Sequence, residues 1–231
     1  MKVVMINGSP HKNGSTAEAL REVGHGLTDG GAESELLHIG AEVVPGCRGC
    51  FACRTLQRCV IDDCVNCTAE ILRHADGMIV ASPVYFSSPT GTMISFLDRL
   101  YAAHGEVLVG QPFGSLTAAR RGGTTIALTV LNQYALVGEQ PIIPSCYWCM
   151  AHDSTPEEVR ADAEGMCIAY TLGKRMAAVL QPGALIAFTG GLGAGKTAFT
   201  EGLAEGLALD TESKEGKLIA AIIDVLDDMS E

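Results

Sequence analysis

The sequence predicts an α/β fold: a doubly wound five-stranded parallel sheet with helices on both faces and a small C-terminal appendage. Three observations predict it. Apolar runs alternate with amphipathic stretches over residues 1–182, the pattern of strands buried on both faces and joined by crossover helices. Hydrophobic residues make up 47% of the 231, enough to fill one well-buried core. After Pro182 a strand-like run, a glycine-rich turn and a helical stretch begin the pattern again.

The predicted strands are residues 2–7, 33–39, 77–82, 112–117 and 140–145. The first helix starts near Ser15, where Ser15, Thr16 and Glu18 supply capping chemistry, and ends near Gly30 and Gly31. Residues 40–67 form a cysteine-rich stretch too long for an ordinary connection, and such loops usually carry function. These elements make residues 1–182 one domain. Residues 183–231 are too few for an independent nucleotide-hydrolysing domain, which normally exceeds about 100 residues.

The net charge of -11 argues against phosphate-backbone binding, which needs clustered Lys and Arg, so nucleic acid is not an expected partner. No apolar run approaches the length of a membrane span, and Met1 leads directly into a strand without signal-peptide features, so the expected location is the cytoplasm. In a reducing compartment the nine cysteines read as metal ligands or redox groups rather than disulfides.

Residues 8–17, GSPHKNGSTA, join the first strand to the first helix. Backbone N–H groups at the helix start, the hydroxyls of Ser9, Ser15 and Thr16, and the positive end of the helix dipole suit a phosphate monoester, to which Lys12 adds a charge. The same residues also suit a plain cap and turn. A second loop, Ser82 to Ser87, follows the third strand at the carboxyl edge of the sheet, where doubly wound folds bind ligands, and its Tyr85 and Phe86 could flank a planar ring.

With NGSP and NGSTA, SPVYF, FLDR at 96–99 and ARRGG at 119–123, residues 1–181 resemble the NADPH-dependent FMN reductase family. The resemblance implies a flavodoxin-like fold with strand order 2-1-3-4-5. It implies phosphate binding by Ser9, Asn13, Ser15 and Thr16. It also implies contacts to the isoalloxazine from Pro83, Val84, Tyr85, Phe86 and Ser87 and from Arg121, Gly122 and Gly123. Homo-oligomers are common in such relatives.

Cys47, Cys50, Cys53 and Cys59 read C-x2-C-x2-C-x5-C, a spacing that lets four thiolates converge on one metal centre from a single irregular loop. The stretch CRGCFACRTLQRCVIDD resembles the cluster motif of the iron-sulfur flavoproteins, a branch of the same family, which implies a 4Fe-4S cluster on these four residues. A four-sulfur zinc site and cysteines without a metal are the alternatives. Cys64 and Cys67 share one face of a predicted helix. Cys146 and Cys149 form another C-x2-C pair after the predicted fifth strand, as packing or free thiols, or as part of a second metal site together with the other pair. Cys167 is expected in the core.

GGLGAGKT at 190–197 fits the phosphate-binding P-loop, with Gly190 and Gly195 shaping the turn, Lys196 reaching outer phosphates and Thr197 ligating magnesium. Residues 183–209 resemble the ATPase subunit of the tRNA threonylcarbamoyladenosine machinery, but no second magnesium-binding strand follows, so the segment reads as a relic or truncated module rather than a working ATP site. The whole reads as an FMN-dependent oxidoreductase exchanging electrons among NAD(P)H, ferredoxin or a quinone, the flavin and a cluster, with no side chain as catalytic acid, base or nucleophile. The rivals are a cluster-free FMN or quinone reductase, a nucleotide-binding regulator using Lys196, and a zinc-binding interaction module.

Overall fold

The structure, a computed structural model, describes residues 1–181. The appendage, with Gly190, Gly195, Lys196 and Thr197, lies outside the described residues. The elements run β1 (Lys2–Asn7), α1 (Ser15–Asp29), β2 (Glu33–His38), α2 (Cys53–Leu56), α3 (Cys64–Leu72), β3 (Gly77–Pro83) and α4 (Gly91–Leu108). They continue with β4 (Phe113–Ala119), α5 (Thr124–Val137), β5 (Met150–His152), α6 (Pro156–Ala161) and α7 (Ala163–Leu180).

The five strands form one parallel sheet in the order β2-β1-β3-β4-β5. Side chains alternate across a strand, so β1 sends Val3 and Met5 to one face and Val4 and Ile6 to the other. The first face packs on Leu20, Val23 and Leu27 of α1 and Ile168, Leu172 and Met176 of α7. The second packs on Val65 and Leu72 of α3, Phe96, Leu97 and Leu100 of α4 and Leu131 of α5. The sheet is therefore doubly wound, and both ends of its central strands are free to carry loops.

Two helices meet backbone to backbone on the first face. A side-chain carbon at Gly26 of α1 would overlap the carbonyl of Tyr170, and one at Gly173 of α7 would overlap the carbonyl of Val23. Only glycine permits that approach.

Two sequence expectations are corrected. Residues 140–145 are not the fifth strand: they make only one bridge to β4, through Ile142, while β5 is Met150–His152. Pro141 and Pro144 lack the N–H that a continuing ladder requires, so the chain leaves the sheet and rejoins it later. The cap of α1 is Gly14, which offers no side-chain bond, while Glu18 pairs with Arg21 and with Arg160 at 2.6 Å. Ser15 and Thr16 stand inside the first turn instead.

Candidate functional site

Both turns predicted to face a ligand meet at the carboxyl edge of β1 and β3. Gly8 N donates to Ala81 O at 2.8 Å, and the Thr90 hydroxyl, which caps α4, donates to Gly8 O at 2.9 Å. Between them lies an open cavity of about 810 Å³ whose lining includes Ser9, Lys12, Asn13, Ser15, Thr16, Pro83, Val84 and Tyr85. Because Gly14 brings no capping oxygen, the first N–H groups of α1 keep the positive end of the helix dipole open toward this cavity. The Asn7 carboxamide is fully buried beneath the turn, its Oδ1 accepting from Ser9 N at 2.9 Å and its Nδ2 without a partner.

Beyond Pro83 the chain makes a two-residue hairpin turn, Tyr85 and Ser88 exchanging backbone bonds of 2.8 and 3.0 Å. Its central residues, Phe86 and Ser87, have φ of 52° and 62°, the left-handed region that disfavours residues other than glycine. The Phe86 ring is thereby held fully in solvent, next in the chain to Tyr85 of the cavity wall. Gly123, at φ 86°, lies against this turn, where a side-chain carbon would crowd Ser87 and Val84.

The four cysteines of the long loop line a second cavity of about 250 Å³: Cys47, Cys50, Cys53 and Cys59, with Arg99, Ala102 and Ala103 of α4. The loop wraps through residues with positive φ, Gly49 at 60°, Phe51 at 55° and Gln57 at 54°. Arg99, its side chain 1% exposed, donates to Cys59 Sγ from Nε and Nη2, both at 3.3 Å, and to Asp63 at 2.6 and 2.9 Å. Asn66 holds the backbone of Cys59 from both sides and is met in turn by His104 Nε2 at 3.0 Å. Burial keeps His104 below its ordinary value of 6.5.

Four thiols lining one cavity, with a buried guanidinium to offset negative charge, fit the chemistry of an iron-sulfur cluster. Among the described residues no three His, Cys, Asp or Glu side chains already converge closely enough to hold a metal ion.

Residues 1–155 match the family model described as NADPH-dependent FMN reductase. The chain belongs to the NADPH-dependent FMN reductase family. It is therefore a flavin-dependent oxidoreductase, with FMN as its cofactor and a redox partner as donor. An iron-sulfur flavoprotein of Methanocaldococcus jannaschii is 28% identical over 189 residues, covering 78% of this chain and 98% of that protein. One from Methanosarcina thermophila is 35% identical over 99 residues, 43% of this chain and 52% of the other. A flavodoxin, a WrbA-like protein from Agrobacterium tumefaciens, superposes with a TM-score of 0.56 at 19% identity, covering 78% of this chain and 96% of its own. An NADH:FMN oxidoreductase does so with a TM-score of 0.57 at 20% identity, covering 79% and 92%. Both establish the flavodoxin-like fold. Residues 168–215 are similar to the threonylcarbamoyl adenosine biosynthesis protein TsaE.

Of the residues that family resemblance implied, Phe86, Ser87, Arg121, Gly122 and Gly123 are not on the cavity wall; Arg120 is. Asp153, Ser154, Thr155 and Pro156 complete the wall and escaped sequence reading. Their signal was the capping box of α6, in which Thr155 and Glu158 bond each other's backbone N–H and Pro156 opens the helix. Cys64 and Cys67 do sit on α3, capped by Asp63, but neither lines the cysteine cavity. Burial, then the Asp63 charge, pushes the Cys64 thiol up to about 11. Cys146 and Cys149 precede β5, and Cys167 is exposed rather than in the core.

Among the described residues no helix is long and apolar enough to cross a membrane.

Proposed function

We propose that this FMN reductase family member carries a 4Fe-4S cluster on Cys47, Cys50, Cys53 and Cys59 and passes electrons between it, FMN and an external donor or acceptor in the cytoplasm. NAD(P)H, ferredoxin and quinones are the donor and acceptor classes. The observation that carries this reading is that all four cysteines line a single cavity. The iron-sulfur flavoproteins named among its relatives support it.

The protein's own groups have distinct tasks. Ser9, Asn13, Ser15, Thr16 and the open N–H groups of α1 would bind the cofactor's phosphate, and Lys12 and Arg120 would balance its charge. Pro83, Val84 and Tyr85 would pack on the ring, Phe86 and Ser87 would shield it from water, and Gly123 packs against that turn. Arg99 fixes the orientation of Cys59 and offsets negative charge on the thiolates. Bound FMN accepts a hydride as two electrons and releases them singly, which is the chemistry needed to join a nicotinamide to a one-electron centre.

Anaerobic purification, with iron, acid-labile sulfide and flavin assayed beside the visible spectrum, tests the reading. Cys50→Ser is expected to lose the broad iron-sulfur absorption while FMN stays bound. Loss of flavin in the same variant would refute the separation of the two sites, and absence of iron after reconstitution would refute the cluster. Flavin without iron is the outcome expected of a cluster-free reductase.

A further inference from the structure

The loop between Pro144 and β5, SCYWC, is used by neither cavity. Its backbone bends at Cys146 and Tyr147, folding the chain between the two cysteines. Cys146 is exposed, whereas Cys149 is 6% exposed and packs in the core of the first sheet face with Ile143 and Ala151. The Ser145 hydroxyl lies 3.7 Å from Cys146 Sγ. The serine is itself fixed by Arg175, which donates to its carbonyl at 2.7 Å, and by the Ile168 carbonyl, 2.6 Å from its hydroxyl. One thiol is exposed and the other is buried in the core three residues later.

We propose that Cys146 and Cys149 form a redox-active dithiol that reduces small-molecule disulfides by thiol–disulfide exchange, with Cys146 as the attacking sulfur and Cys149 as the resolving one. Cys146 thiolate attacks the external disulfide, a Cys146–S bond forms, and the first thiolate leaves and takes a proton from water. Cys149 then gives its proton to water and attacks Cys146 Sγ, closing the internal disulfide and releasing the second thiolate, which is protonated in turn. One disulfide is reduced to two thiols, and the protein dithiol is oxidised by the same two electrons.

The two surroundings suit the two tasks. Burial opposes ionisation of Cys146, but hydrogen bonds from Ser145 and Thr171 and the charge of Arg175 outweigh it and hold the thiol below its ordinary value. Burial pushes Cys149 up to about 11, so it remains a protonated thiol until the first exchange has occurred. Tyr147 and Trp148, the two residues between the cysteines, tilt against each other with ring centroids 5.0 Å apart and planes at 54°, and each is 56% exposed.

The full-length, flavin-loaded protein is equilibrated anaerobically with cysteine and cystine mixtures, quenched with acid, alkylated and mapped by peptide mass. Cys146 and Cys149 are expected to convert together to an internal disulfide in one two-electron transition. Emission from Trp148, the single tryptophan of the chain, is expected to follow it. Cys149→Ser should trap cysteine on Cys146 as a mixed disulfide, Cys146→Ser should trap about tenfold less on Cys149, and Cys167→Ser should leave the transition unchanged. Separate, uncoupled modification of the two thiols overturns the proposal. So does a rate of cystine attack at Cys146 no faster than at exposed Cys167, or stoichiometric zinc that both variants lose. If a variant fails to fold, the wild-type transition alone decides.

Discussion

Phe86 occupies a backbone conformation that costs a residue with a side chain about 1–2 kcal/mol, and its ring gains nothing from burial in return. A residue held so is placed for something outside the fold. Phe86→Gly is expected to raise the stability of the flavin-free protein by up to about 1 kcal/mol, read from the urea midpoint. The same change should weaken FMN binding about 3- to 10-fold by fluorescence titration, through the lost shielding of the ring from water. His104 makes the opposite kind of commitment. Its folded value lies below 6.5 because burial disfavours the cation, so the unfolded chain binds the proton more readily. Stability is thus full above about 6.5 and is lost as the pH falls through the lower folded value. Urea midpoints at pH 7 and pH 5 should show this fall, and His104→Gln should reduce it. The sequence displayed the polar residues of the phosphate turn openly, because their spacing is local. Arg99 was visible only as part of FLDR, since its partners Cys59 and Asp63 are distant in sequence and meet it through folding.

At the scale of elements, α1 and α7 are joined by two glycines that admit each other's backbone. Gly173→Ala should cost about 1–3 kcal/mol through overpacking, measured as a lower denaturant midpoint with the slope unchanged. Strands β1, β3 and β4 were legible because burial on both faces leaves near-continuous apolar runs such as MIVAS in β3. The last strand was not. The Ile-Ile pair between Pro141 and Pro144 has strand composition, but the prolines interrupt the ladder, and the three residues of β5 are too few to show a period. Misplacing that strand hid the wall that follows it, since Asp153 to Pro156 reach the cavity only because β5 delivers them there.

For the molecule as a whole, the flavin cavity is assembled from turns following β1, β3, β4 and β5, so ligand binding should stabilise the entire sheet rather than one loop. At 100 times its dissociation constant, FMN should add about 2.7 kcal/mol and raise the thermal midpoint by about 5–10 °C, measured by calorimetry. Helix α4 spans the two cavities. Its cap, Thr90, ties down the flavin turn, and Arg99, roughly two and a half turns later, closes on Cys59. Helical rise thus sets Thr90 and Arg99 roughly 13 Å apart along the axis, and helical phase sets their relative bearing. Lengthening that stretch by one residue would swing the guanidinium about 100° around the rod and aim it away from the thiols, while every strand stayed where it is.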